Sequence, residues 1–327
     1  MTTPDTITPG TSAPSLRERL GTLSTEQIDA RFADLDALPT LDAARLMNES
    51  DATVPGAVAL VLSAVAEAVD EIVIRMRRGG RLVYAGAGTA GRLGVLDASE
   101  CPPTFSTDPS RVVGIVAGGP AALTTAIEGA EDDREAAMAD VAGLDVGPDD
   151  TLVGISASGR TPYAIAAIEA AREVGAFTVG LSCNADSPLA AAATIGLEVV
   201  VGPEVLAGST RLKAGTAQKY VLNMISTLTM VRLGKTYGNL MVDVSATNEK
   251  LRARSWRIVH EATGADDDAV DAALASADGE VKTAIAMLLA DIDPAAARAA
   301  LDRHDGVLRL AVDELRGRSA ERTEGEA

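Results

Sequence analysis

The spacing of apolar and polar positions divides the chain into stretches of different texture. From about Thr22 to Asp51 the pattern is helical, with capping hydroxyls signalling starts at Ser24 and Thr40. Thr53 then opens a long helix running through about Arg78, where Gly79-Gly80 stops it. Beyond that point short β-branched runs appear: Arg81–Ala85, Val112–Ala117, Thr151–Ser156, Phe177–Ser182 and Ile195–Val201. Each is largely apolar and bounded by Gly, Pro, Asp or Asn. Between them lie Ala-rich helical stretches such as Pro162–Val174, with its stripe of Ile165, Ile168 and Ala171. Continuous apolar strands alternating with helices predict a parallel sheet covered on both faces.

Leu212–Lys235 reads as one long buried helix and Asn248–Thr263 as another. From Gly264 the strands stop, and Asp266–Ser276, Glu280–Leu289, Pro294–Arg303 and Gly306–Leu315 read as four short amphipathic helices. The predicted organisation is a Thr/Pro-rich tail over 1–14, an α/β domain with N-terminal helices over 15–263, a small all-α module over 264–316, and a polar tail over 317–327.

Composition narrows the function. Acidic residues outnumber basic ones 47 to 29, a net charge of −18, and no basic stretch offsets it. A phosphate backbone or an anionic membrane surface would be repelled, so neither nucleic acid nor membrane is an expected partner. Two cysteines, Cys101 and Cys183, and two histidines, His260 and His304, sit in unrelated contexts and are too few for a structural zinc site or a disulfide framework. The N-terminus has no apolar core of the secretory kind, and no apolar run reaches the roughly 18 residues of a membrane helix. The expectation is a cytoplasmic chain without metal or cofactor.

Two turns carry candidate chemistry. LVYAGAGTAGRLG, residues 82 to 94, runs from a strand through Gly86, Gly88, Gly91 and Gly94 into a helix. Glycines there let backbone N–H groups approach an anion, and the helix N-terminus adds a favourable dipole. A dinucleotide site matches the same spacing, but it calls for an acidic residue after the next strand, where this chain has Gly118-Gly119. ISASGRTPY, residues 155 to 163, places Ser156, Ser158 and Thr161 beside the free N–H groups of a helix opened by Pro162, with Gly159 in the turn and Arg160 available for charge. That is a nest for a phosphate monoester, or an ordinary cap using one of the three hydroxyls.

The Ser-x-Ser-Gly-x-Thr spacing after a strand resembles the sugar isomerase domain, a three-layer α/β/α fold with a five-stranded parallel sheet that binds phosphosugars. GPEVLAGSTRLKAGTAQK, residues 202 to 219, supports this through Glu204, Ser209, Thr210 and the long helix after them. AGAGTAGRLGVLDASECPPTF, EGAEDDRE, GISASGRTPY, GSTRLKAGTAQKYVLNMIST and GNLMVDVSATNEKL together resemble the N-acetylmuramic acid 6-phosphate etherase family from about Leu46 to His304. One departure is Ala90, where related sequences commonly carry Ser, so Thr89, next to Gly88, has more of the binding work. The resemblance implies cleavage of the lactyl ether of that phosphosugar to N-acetylglucosamine 6-phosphate and D-lactate, in a homodimer that the long Ala-rich helices also favour.

Such a cleavage needs a base for the C2 proton of the open-chain sugar, an acid for the departing lactate, and a phosphate anchor. It requires no metal. Glu100 is the first candidate: in DASECPP it ends a helix that Pro102-Pro103 are expected to stop, and the negative end of the dipole favours its protonated form. Glu131 is the second, three residues after Glu128 on one expected helical face. Only the resemblance singles it out, as the C2 base. Glu204 is placed to assist ring opening, and Lys213 and Arg211 to neutralise phosphate or lactate. Cys101 has no neighbouring His and is not expected to be a nucleophile. Both histidines are read as structural, although His304 could reach a neighbouring subunit's site. Rival readings of the same fold are a phosphosugar sensor without turnover and an aldose–ketose isomerase.

Overall fold

The computed structural model describes residue 21 and residues 23–243 and 249–325, with side chains through residue 317. The tail expected over 1–14 lies outside the described residues, as do Thr22 and Asn248.

The stretch from Ser24 is not the helix that its pattern predicts. It forms three 3-10 turns, Ser24–Glu26, Ala30–Phe32 and Leu35–Ala37. Local side chains divert the backbone: Asp29 accepts the Arg31 N–H, and the Thr25 N–H goes to Asn184. Helix α1, Thr40–Asp51, begins at the expected Thr40 but with Pro39 as its cap residue. The single long helix expected from Thr53 is two, α2 (Val54–Ala59) and α3 (Leu62–Arg77), separated where Val61 leaves helical geometry at φ −108 and ψ 4. No Pro or Gly marks that break.

The core then alternates: β1 (Leu82–Gly86), α4 (Gly88–Phe105), β2 (Val112–Val116), α5 (Arg134–Gly143), β3 (Thr151–Ser156), α6 (Pro162–Glu173), β4 (Phe177–Ser182), α7 (Pro188–Ala192), β5 (Ile195–Glu198) and α8 (Lys213–Arg232). The five strands pair in parallel in the order β2-β1-β3-β4-β5. Strand side chains alternate between faces, so Leu82, Tyr84, Val153 and Ile155 bury on the side of α3, α4 and α8. Val83, Ala85 and Leu152 bury on the other side, with Ala137, Tyr163 and Ile168 of α5 and α6. This is the expected three-layer α/β/α arrangement. Fully burying a side chain such as Ile155 contributes about 1.5–3 kcal/mol.

Helix α4 corrects the expected stop at Pro102-Pro103. Both prolines lie inside it, and it ends at Ser106, in left-handed geometry (φ 50, ψ 37) with its N–H donated to Pro102 O at 2.9 Å. Prolines near a helix end forfeit few bonds, so they are accommodated there.

After α8 a two-stranded hairpin, β6 (Thr236–Tyr237) and β7 (Leu240–Met241), turns at Gly238-Asn239, a signal the sequence reading passed over. Helices α9 (Glu249–Thr263), α10 (Asp267–Ser276), α11 (Val281–Ala290), α12 (Pro294–Arg303) and α13 (Leu308–Gly325) follow. They share a separate apolar cluster, to which α9 contributes Ile258 and Val259. The last helix runs past the expected end near Leu315, into the stretch read as a tail; no proline interrupts it.

Candidate functional site

In a sheet ordered 2-1-3-4-5 the chain leaves β1 toward one side and β3 toward the other, which opens a crevice beyond their carboxyl ends. Both glycine- and hydroxyl-rich turns stand at that point, since Gly86 ends β1 and pairs with Ile155, the neighbour of Ser156 at the end of β3.

After β1, Gly88 takes φ +55 and opens α4 with no side chain capping its first N–H groups. Gly91 has a packing role: a Cβ there would lie 2.4 Å from Gly86 O. It lets the helix lie close on the sheet. Thr89 is half-buried, and its methyl sits 3.5 Å from where a Cβ on Gly215 of α8 would be.

After β3 the three hydroxyls meet. Ser156 Oγ lies 2.8 Å from Thr161 Oγ1 and 3.2 Å from Ser158 Oγ. The Gly159 N–H donates to Ser156 Oγ at 3.0 Å and the Arg160 N–H to Ser158 Oγ at 3.1 Å. Thr161 occupies the cap position of α6 without using its hydroxyl there, so the first turn keeps N–H groups for a ligand. The Arg160 Nε is buried and has no partner among the described residues. Gly159, at φ +66, is pressed so close to the next turn that a Cβ would meet Ser187 Cβ at 2.4 Å.

A third turn precedes α8. Glu204 is buried, and its two oxygens accept the N–H groups of Lys213 and Ala214 at 3.1 and 2.9 Å. Burial raises its carboxyl above the usual range, against the pull of those two amides. Both oxygens are thus engaged as the N-terminal cap of α8, which ties the Ser209 turn down. Lys213 is buried too, and burial lowers its ammonium against the pull of Glu204. Ser209 is half-buried in this turn, and Arg211 is exposed.

The glutamates are placed differently from expectation. Glu128 and Glu131 do not share a helical face, because Gly129 between them is left-handed (φ 77) and Glu131 lies in the 3-10 turn Ala130–Asp132. That turn packs against α6, the helix that carries the hydroxyl nest, and Glu131 is exposed on it. Glu100 is exposed and does not end α4. It lies twelve residues beyond Gly88, roughly 18 Å along an axis that leads away from the crevice. Within one chain the structure does not bring Glu100 to the nest.

Other residues settle as expected. Burial pushes the thiols of Cys101 and Cys183 up to about 12, which removes them as nucleophiles at neutral pH. His304 pairs with Glu314 at 2.6 Å within the helical module, and His260 stacks on Trp256. A cavity of about 470 Å³ between core and module is lined by Ser106, Lys235, Asp243 and Lys282 and shares nothing with the nest.

Sequence reasoning missed Asn184, which follows β4. Its Nδ2 donates to Ala157 O at 2.9 Å and to Thr25 Oγ1 at 3.0 Å, and its Oδ1 accepts from Ser24 Oγ at 2.9 Å. The N-terminal turns are thereby fastened beside the nest. An isolated Asn after a strand offers no signal of that in sequence.

The family described as "Glucokinase regulatory protein N-terminal SIS domain" matches residues 64–172, and that described as "SIS domain" matches residues 130–228. The chain is 66% identical to an N-acetylmuramic acid 6-phosphate etherase of Streptomyces avermitilis over 91% of its length and 96% of the relative's. It is 55% identical to the etherase of Pectobacterium atrosepticum (90% and 97% covered) and 52% to that of Mycolicibacterium smegmatis (90% and 98%). Among solved structures, a phosphoheptose isomerase from Francisella tularensis aligns with a TM-score of 0.47 at 18% identity, over 59% of this chain and 100% of that one.

Proposed function

The chain belongs to the N-acetylmuramic acid 6-phosphate etherase family, and we propose that it cleaves the D-lactyl ether of that phosphosugar by eliminating lactate and then adding water. The products are N-acetylglucosamine 6-phosphate and D-lactate. The observation that carries this reading is the nest at the crevice: Ser156 Oγ in contact with the Ser158 and Thr161 hydroxyls, an uncapped helix start, and an Arg160 Nε with no partner among the described residues. A phosphate monoester supplies the acceptors these donors need.

With the 6-phosphate held there, the reaction runs on the open-chain sugar, whose C1 aldehyde acidifies the C2 proton. Glu131 takes that proton, the C3–O bond to lactate breaks as the C2–C3 double bond forms, and Glu100 supplies a proton to the departing oxygen. Water then adds at C3 and a proton returns to C2. Gly88 and Thr89 line the opposite wall of the crevice, and Ser209 and Lys213 close it from the side of α8, where the ammonium balances anionic charge.

The position of Glu100 makes a homodimer part of the proposal. Leu96, one turn before Glu100, is half exposed, as are Tyr220, Leu228 and Val231 on α8. Helix α8 carries no acidic residue at all in a chain of net charge −18. Two copies joined by these faces about a two-fold axis perpendicular to α4 would run their helices antiparallel, setting the Glu100 end of one against the Gly88 end of the other. Cytoplasmic residence is proposed from the two free, buried cysteines; among the described residues no helix is long and apolar enough to cross a membrane.

The test is direct. Purified protein incubated with N-acetylmuramic acid 6-phosphate should release lactate and, in D2O, place deuterium at C2 of the product. Binding of the phosphosugar without lactate release would reject the activity.

A further inference from the structure

The Ser24–Glu26 turn spends an unusual number of buried bonds on a short segment. Thr25 is fully buried, its N–H and hydroxyl both bonded to Asn184, and Ser24 Oγ donates to the same amide. Asn184 in turn holds Ala157 O, the carbonyl between Ser156 and Ser158. The backbone of Glu26 is therefore fixed to the nest through one bridging side chain.

The Glu26 carboxylate is half-buried and lies over the turn before α8: its Oε2 is 3.0 Å from where a Cβ on Gly208 would stand. Gly208, at φ +76, leaves that space to it, directly beside Ser209. Thr210 O and the Thr89 methyl both lie 3.5 Å from the same point on Gly215, so the turn after β1 meets, at its Thr210 end, the turn that Glu26 covers at Gly208. Nearby Asp29 has its carboxylate bound by Arg31, whereas Glu26 has no side-chain partner among the described residues.

We propose that Glu26 is a ligand-binding residue of the phosphosugar site, whose carboxylate accepts a hydrogen bond from a free hydroxyl of the sugar. The inference rests on the phosphosugar reading above. A carboxylate repels both anionic groups of the substrate, phosphate and lactyl, so it suits only the neutral hydroxyls. The nest, Arg160 and Lys213 provide for the anions. A hydroxyl bound to a carboxylate is a charge-assisted bond, so its loss weakens binding about 10- to 100-fold.

The test uses the full chain and two ligands measured by calorimetry, N-acetylglucosamine 6-phosphate and inorganic phosphate. Glu26→Gln should weaken the phosphosugar by that factor and leave phosphate unchanged or tighter, with the melting temperature kept. Ser24→Ala, which loosens the turn without touching ligand, should weaken the phosphosugar less. Unchanged phosphosugar affinity in Glu26→Gln, or an equal loss for both ligands, overturns the proposal. Lactate release by the wild type is scored separately: a protein that binds the sugar through Glu26 but releases no lactate rejects the etherase reading and leaves this one standing.

Discussion

The Tyr84 hydroxyl donates to the Asp97 carboxylate across 2.7 Å inside the layer between the sheet and α8. Asn223 and Ser226 of α8 donate to the other oxygen at 2.6 and 3.0 Å. A buried carboxylate is thus held by three neutral donors, binding β1, α4 and α8 together one turn before Glu100. Asp97→Ala leaves all three donors without an acceptor, so a loss on the order of 3 kcal/mol or more is expected in urea unfolding. A loss below about 1 kcal/mol would show that the cluster does not hold these elements.

Asp97 also sets a pH dependence. Burial raises its carboxyl above the usual 3.8, more than the three hydrogen bonds lower it. The folded state therefore takes the proton more readily than the unfolded chain. Its contribution is full below about 3.8 and is lost as pH rises through the folded value. Measured from acid upward, the stability gap between wild type and Asp97→Asn should shift against the wild type and then level off. A gap that stays flat through the acid range would mean that Asp97 keeps an ordinary value.

Strands β3 and β4 coincide with their apolar runs because both faces of a central parallel strand are buried, so the run ends where the strand does. The nest was legible for a local reason too: three hydroxyls fall between a strand and a proline that starts a helix. The Ser24–Glu26 turn was not legible, because its bonds go to Asn184, far away in sequence. The end of α4 differs from the expectation at Glu100 for a subtler reason. The prolines after it look like a stop, yet the helix absorbs them in its last turn. The rise per residue would already have carried Glu100 away from the crevice once a parallel sheet was accepted.

If the 6-phosphate sits in the nest, removing its hydroxyls should weaken capture more than chemistry. Ser158→Ala and Thr161→Ala should each raise KM for the phosphosugar about 5- to 30-fold, and kcat should fall much less. The same variants should lose affinity for inorganic phosphate, measured by calorimetry. Unaltered phosphate binding in both would move the anchor elsewhere.

Glycine at 159 should be irreplaceable for two independent reasons. Its φ of +66 disfavours any side chain, and a Cβ would press on Ser187 Cβ at 2.4 Å, with Ser182 Cβ at 3.0 Å behind it. Neither neighbour is the mobile end of a long side chain. Gly159→Ala should cost about 2 kcal/mol or more and weaken phosphate binding, since the Gly159 N–H donates to Ser156 Oγ. A variant with unchanged melting temperature and phosphate affinity would show that the turn is looser than its packing implies.

Each glutamate should be essential, and the loss of Glu100 should be repaired by a partner copy that keeps it. Glu100→Gln or Glu131→Gln should lower kcat about 100- to 10,000-fold while the phosphosugar still binds. In the proposed dimer each crevice combines one copy's nest with its partner's Glu100. A copy bearing Glu100→Gln and a copy bearing Ser158→Ala with Thr161→Ala are then complementary. One site of each mixed dimer receives an intact nest and an intact glutamate. Random reassembly makes half the dimers mixed, so with substrate held far below the KM of the nest variant about a quarter of wild-type activity should return. No such recovery should be seen if Glu100 serves its own chain, because that arrangement leaves every site with one defect. Sedimentation of each variant alone must show a dimer for the result to count, and a monomeric wild type would discard the shared site.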